Sequence, residues 1–178
     1  MTLMITFAIT LQIILVLYHQ VTTLFDFFPF NGVRFYSRRE TLIEAGINLV
    51  LMSLPLVGFF WHVSALLKFG IVYYFILFAV ECATWWWPYF LGPSPKGLEN
   101  YNRIHRRTIT VIPRRGNNPV PNLEHLILMI LTLVTAIATV TAFRTISFPF
   151  RQWWIGAVIG VVVVAGTIFQ FCFQGRQK

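Results

Sequence analysis

A chain of 178 residues in which 57% are hydrophobic and only 11% charged does not have the composition of a soluble domain, where about a quarter of residues carry charge. Fourteen Lys and Arg against six Asp and Glu leave a net charge of +8. No nucleic-acid motif accompanies that excess, so it points to a face lying on anionic headgroups, with no nucleic-acid partner expected.

Four stretches, 1–25, 45–67, 126–143 and 152–175, contain no Lys, Arg, Asp or Glu. Runs of about 18 or more apolar residues read as membrane-spanning helices. The fold class expected is an all-α integral membrane protein, a single domain with five spans at about 3–25, 41–60, 69–91, 123–143 and 153–173. The first span is too long and too aromatic toward its end for a cleavable signal peptide, and it lacks a basic leading region. Glu44, Asn48 and Pro55 interrupt the second. A four-span alternative turns that segment into a re-entrant or interfacial one. The long loop 92–122 carries prolines at 93, 95, 113, 119 and 121, and the alternation in "RRTITVIPRRG" suggests a short strand or hairpin on the headgroups. Gly156 and Gly160 stand in a GxxxG spacing in the last span, which suits close helix packing within the protein or in a homodimer. No internal repeat is visible, which argues against an inverted-repeat transporter.

Sorting the basic residues by loop puts eleven after spans one, three and five, against three (Lys68, Arg144 and Arg151) on the other side. By the positive-inside rule the N-terminus lies outside, and the basic loop and the C-terminus lie in the cytoplasm. Cys82 and Cys172 form no CxxC pair and fall toward that side, which fits reduced thiols.

Charged and imidazole side chains are costly in hydrocarbon unless paired or facing a cavity. Every Asp and Glu, and every His except His62, falls in or beside the cytoplasmic half of its span. Glu81 precedes Pro88 by seven residues, which places it roughly 10 Å below the interface. His19 and Asp26 are seven apart and share a helix face. Glu40, Glu44 and Asn48 recur every four residues, and His125, Thr132, Thr135 and Thr139 form one stripe. Such spacing predicts convergence on a polar, acidic cavity that opens toward the cytoplasm. Simpler roles compete with it. Glu40, Glu44 and Glu124 sit near helix N-termini, where the helix dipole favours acids. Asp26 suits a turn before "FFPFNG", and threonine stripes commonly bond their own backbone. Glu81 has no such explanation. The three tryptophans 85–87 splay around their helix as interface anchors, with Trp85 one turn from Glu81.

His19, Glu44, Glu81 and His125 match no metal signature such as HExxH, so no metal is expected. An isolated His19–His125 pair does not make a haem signature, and Cys82, adjacent to Glu81, points to a different helix face. No GxSxG, P-loop or nucleotide fingerprint is present, and no cofactor is expected.

"HQVTTLFD" at 19–26 and "EAGIN" at 44–48 resemble helix ends in the EXPERA family, which contains emopamil-binding sterol isomerases and sigma-type receptors. The resemblance covers about 13 of the 178 residues. It implies a small bundle of four or five spans with a membrane-buried acidic pocket for sterol-like and cationic amphiphilic ligands, with Asp26, Glu44 and Asn48 at the matching positions.

The leading expectation is therefore a membrane protein that binds a lipid-like or amphiphilic molecule. Glu81 and His19 form the acid–base pair if it is an enzyme, and Asp26, Glu44, Asn48, Trp85, Glu124 and His125 line the site. The alternatives are a small proton- or cation-coupled transporter or channel, and a non-catalytic subunit of a membrane complex.

Overall fold

A computed structural model describes residues 3–146. Within them lie five α-helices: α1 (Leu3–Leu24), α2 (Arg38–Phe60), α3 (Ser64–Leu91), α4 (Pro95–Ile104) and α5 (Leu123–Phe143). Four of these, α1, α2, α3 and α5, are long and apolar enough to cross a membrane. This is the architecture of a multi-pass helical membrane protein. The expected fifth span at 153–173, with Gly156 and Gly160, lies outside the described residues.

Helix starts follow local chemistry. Ser37 caps α2 in a reciprocal capping box: its hydroxyl accepts from Glu40 N–H, while the Glu40 carboxylate accepts from Ser37 N–H. The helix therefore begins at Arg38, three residues before the expected start, and Glu40 is spent on the cap. Asn122 caps α5 through the His125 N–H at 3.0 Å. Ser94 caps α4, with Pro95 opening the first turn. The sequence reading treats 92–122 as loop and misses α4.

The strand or hairpin expected at 106–116 is corrected: no strand occurs among the described residues. Extended backbone there bonds across to other segments. Ile109 N–H donates to Pro29 C=O, and Leu123 N–H donates to Ile109 C=O. Prolines 113, 119 and 121 lack donors, which removes the ladder a self-paired hairpin requires.

The four long helices close into a ring in which α1 touches α2 and α5, and α3 touches α2 and α5. Neighbours are antiparallel. Gln12 meets Thr139 and Tyr18 meets the Glu124 carbonyl, so α1 and α5 run in opposite directions. A three-residue turn does the same for α2 and α3. Outward positions are large and apolar, among them Leu17, Val72 and Ile130, as a lipid-facing surface requires. Inside, small residues allow close approach: a Cβ on Gly70 of α3 would fall within the ring of Pro55 on α2. The end of α1 is tied down by Asn31, which is fully buried. Its amide donates to the carbonyls of Thr22 and Phe25 and its oxygen accepts from Phe27 N–H. That side chain satisfies carbonyls a helix end otherwise leaves open. The same turn places α4 and the 105–122 segment over one end of the ring.

Candidate functional site

The interior of the ring is polar along much of its length. From the end away from α4, the buried Gln12 amide donates to Thr139 Oγ1 at 2.9 Å, and Thr139 donates to the Thr135 carbonyl. Thr135 and Thr132 follow on the same face of α5, both fully buried. Thr139 back-bonds in the ordinary way. The hydroxyls of Thr132 and Thr135 find no partner among the described residues.

Glu81 of α3 lies beside Thr132 with only 7% of its surface exposed. The Thr132 hydroxyl is close enough to act on the carboxylate, yet no well-formed hydrogen bond reaches either oxygen among the described residues. Tyr73, two turns earlier on α3, is within electrostatic reach of Glu81 and donates its hydroxyl to Asn48 Oδ1 at 3.1 Å. Asn48 in turn donates to the Glu44 carbonyl. The neighbouring Cys82 is a free thiol.

Above Glu81 an aromatic and imidazole cluster closes the α4 end. Trp85, buried one turn on, packs against the His125 ring at 4.4 Å and the His105 ring at 4.9 Å. The two imidazoles meet edge to face at 5.4 Å. Asn122 Oδ1 already accepts the His125 backbone N–H, so the 2.6 Å contact to His125 Nδ1 requires a proton on that nitrogen. The lone pair is thereby placed on Nε2, and Glu124 Oε2 stands 3.6 Å from the protonated side. His19, buried on α1, is within electrostatic range of His125. Glu44 and Glu124 are in range of each other. The Tyr36 hydroxyl contacts His105 Nε2 at 3.4 Å, while His105 Nδ1 has no partner among the described residues. Burial lowers the His105 imidazole from its usual 6.5 to about 4.

His19, Glu44, Glu81, Trp85, Glu124 and His125 thus gather in the α4-side half of the ring. Asn48 joins them through Tyr73. Asp26 stands apart: its Oδ1 accepts from Phe28 N–H in a local turn, and its Oδ2 pairs with Arg34 at 2.9 Å. Trp86 stacks on Phe90 and Trp87 is exposed, so the consecutive tryptophans divide between interior and periphery. Sequence reasoning missed His105, Tyr36, Asn122, Tyr73 and Gln12. Gln12 was detectable, because it is seven residues, two turns, before His19 and shares its face. His105 was not, since its place depends on how a long loop folds back.

Two cavities lie elsewhere. One of about 290 Å³ is lined by residues that include Phe25, Asp26, Arg34 and Tyr36. The other, of about 350 Å³, lies between α4 and the segment that follows it. Neither is lined by Glu81 or His19. No family model, curated protein or solved structure matches this chain.

Proposed function

We propose that this chain is a small proton-coupled membrane protein in which Glu81 is the proton-binding carboxylate. The carrying observation is that Glu81, buried and without a hydrogen-bond partner among the described residues, stands within a line of buried polar side chains from Asn122 to Thr139. Seventeen residues of helix correspond to about 25 Å, most of a hydrocarbon core of about 30 Å. Unpartnered buried polar atoms are where ordered water binds. Acid, imidazole and hydroxyl groups joined by such water form the proton relays that intramembrane ionisable residues commonly serve. The His125 lone pair on Nε2 supplies a hydrogen-bond acceptor at the α4 end.

The test is proton flux into liposomes holding the full chain and a pH-sensitive dye, driven by an imposed pH gradient. The wild type acidifies the lumen, Glu81→Gln abolishes the flux, and Thr132→Val slows it. Flux in Glu81→Gln equal to the wild type sinks the reading, as does a wild-type rate no faster than protein-free vesicles.

The finer topology belongs to the same proposal: five spans, the fifth at 153–173, an outside N-terminus, a cytoplasmic basic loop on anionic headgroups, and a homodimer contact through Gly156 and Gly160. Reporter fusions at each end and in the loop read the sidedness directly.

A second reading, an amphiphile-binding protein with acid–base capacity, is favoured by the cavity of about 290 Å³, whose wall combines Leu24, Phe25 and Val33 with the Asp26–Arg34 pair and Arg38. It is the reading the EXPERA-like stretches suggest. Loss of binding of a zwitterionic amphiphile in Asp26→Asn supports it; unchanged binding in that variant removes Asp26 from the site.

A further inference from the structure

The cavity between α4 and residues 113–120 is separate from the line of side chains through Glu81, and its chemistry is different. It holds about 350 Å³, within the range of small-molecule sites. Arg106, just past α4, and Arg114, just after Pro113, both line it; Asn102, whose Oδ1 accepts from Arg106 at 3.4 Å, and Asn117 and Asn118 add amide groups, and no carboxylate lines it. The floor is Tyr101 and Val120, both buried.

This wall is built from fixed parts. Tyr89, directly after Pro88 at the end of α3, clips the segment twice. Its hydroxyl donates to the Pro113 carbonyl at 3.1 Å, and its own carbonyl accepts from Asn118 Nδ2 at 2.9 Å. Between those clips Asn118 N–H closes a turn onto the Arg115 carbonyl, with Gly116 at a φ of +57°. A positive φ at this turn position favours glycine. Gly116 and Asn117 are exposed at this turn. Two exposed arginines from separate segments thus share one cavity with amide groups beside them. An anion bound there would offset the repulsion of two like charges.

We infer that this cavity is a binding site for a phosphate group, carried by a soluble phosphate ester or by an anionic lipid headgroup. A tetrahedral phosphate offers acceptor oxygens to donors from several sides, which suits two arginines from separate segments with amide groups beside them. The inference is independent of proton handling at Glu81.

The test uses the full chain in phosphatidylcholine nanodiscs. Glycerol 3-phosphate is titrated calorimetrically, and in a parallel arm phosphatidylglycerol replaces part of the lipid and its retention is read by native mass spectrometry. Arg106→Gln with Arg114→Gln is compared with the charge-matched pair Arg103→Gln and Arg107→Gln, which lies outside the cavity. The cavity pair is expected to weaken binding by about tenfold or more, and the matched pair by about twofold or less. Glycerol 3-phosphate binding with that pattern assigns the site to a soluble ester; phosphatidylglycerol retention alone, with the same pattern, assigns it to a headgroup. Binding of neither probe, or equal loss in both double variants, overturns the proposal.

Discussion

The α2–α3 contact and the α1–α5 contact join antiparallel neighbours in one ring, yet they are built differently. Each carries two side-chain hydrogen bonds: Tyr73 on Asn48 and Tyr74 on the Met52 carbonyl between α2 and α3, Gln12 on Thr139 and Tyr18 on the Glu124 carbonyl between α1 and α5. Between α2 and α3 a close glycine–proline approach is added, because Gly70 lets the Pro55 ring settle against α3. Lipid tails supply no hydrophobic drive between helices, so association rests on close packing and interhelical hydrogen bonds. The α2–α3 contact should therefore fail first on a change of shape, and the α1–α5 contact on loss of its hydrogen bonds.

Gly70→Leu is the hardest blow to that division. A side chain at Gly70 must displace Pro55 on a neighbouring helix, at a cost of about 3 kcal/mol or more. The expected outcome is little folded protein after detergent extraction, read by size-exclusion profile and thermal unfolding. A well-folded Gly70→Leu variant would show that α2 and α3 are held by something other than close approach.

A pH scan addresses the cap over the polar half. Burial lowers His105 to about 4 in the folded chain, against 6.5 for an ordinary imidazole. Between those values the unfolded chain binds a proton that the folded chain does not, so stability rises with pH there. The contribution is complete above about 6.5 and is lost as pH falls toward 4. Thermal unfolding temperatures measured across that window should decline on acidification, and His105→Gln should flatten the decline. Identical slopes in the two proteins would place the acid sensitivity elsewhere.

Gln12→Leu tests the polar side at smaller scale. It removes one interhelical bond and also one amide oxygen that lacks a partner among the described residues, so the expected loss is about 1 kcal/mol or less. A double-mutant cycle with Thr139→Val should return a coupling of similar size. Coupling near zero would mean that the 2.9 Å contact contributes nothing and that α1–α5 rests on packing.

How much of this was legible in the sequence depended on whether a feature was local or long-range. The long apolar helices could be read because runs without charge are themselves the signal, and Glu81 stood out because a carboxylate deep in such a run has no helix-end explanation. Trp85 was separable from Trp86 and Trp87 by helical rotation alone. Helix α4 was missed because only ten residues, rich in polar side chains, sit between prolines that suggest loop. His105, Tyr36 and Asn122 were missed for a different reason: their meeting with Trp85 and His125 is made by the fold-back of residues 105–122 and the Asn31-tied turn, and no spacing encodes that. Asp26 shows the converse error, since two-turn spacing from His19 suggested a shared cavity while the nearby Arg34 and the Phe28 amide offered it closer partners.

His62 supplies the smallest and most diagnostic change. It is the only described non-glycine residue with positive φ, at +53°, and it terminates α2 in a Schellman arrangement: Val63 N–H reaches the Gly58 carbonyl at 3.0 Å. A side chain in this left-handed conformation is strained where glycine is not. His62→Gly should therefore raise stability by about 0.5–1 kcal/mol, seen as a higher unfolding temperature in the same detergent. The residue belongs to the α2–α3 turn, at the end of the ring away from Glu81, so proton flux should be unchanged. A flux that falls with His62→Gly would mean that this imidazole, the only one at the far end among the described residues, takes part in proton exit. The polar line would then extend past Thr139 into the turn that joins α2 to α3, and the separation of the two contacts would fail at that point.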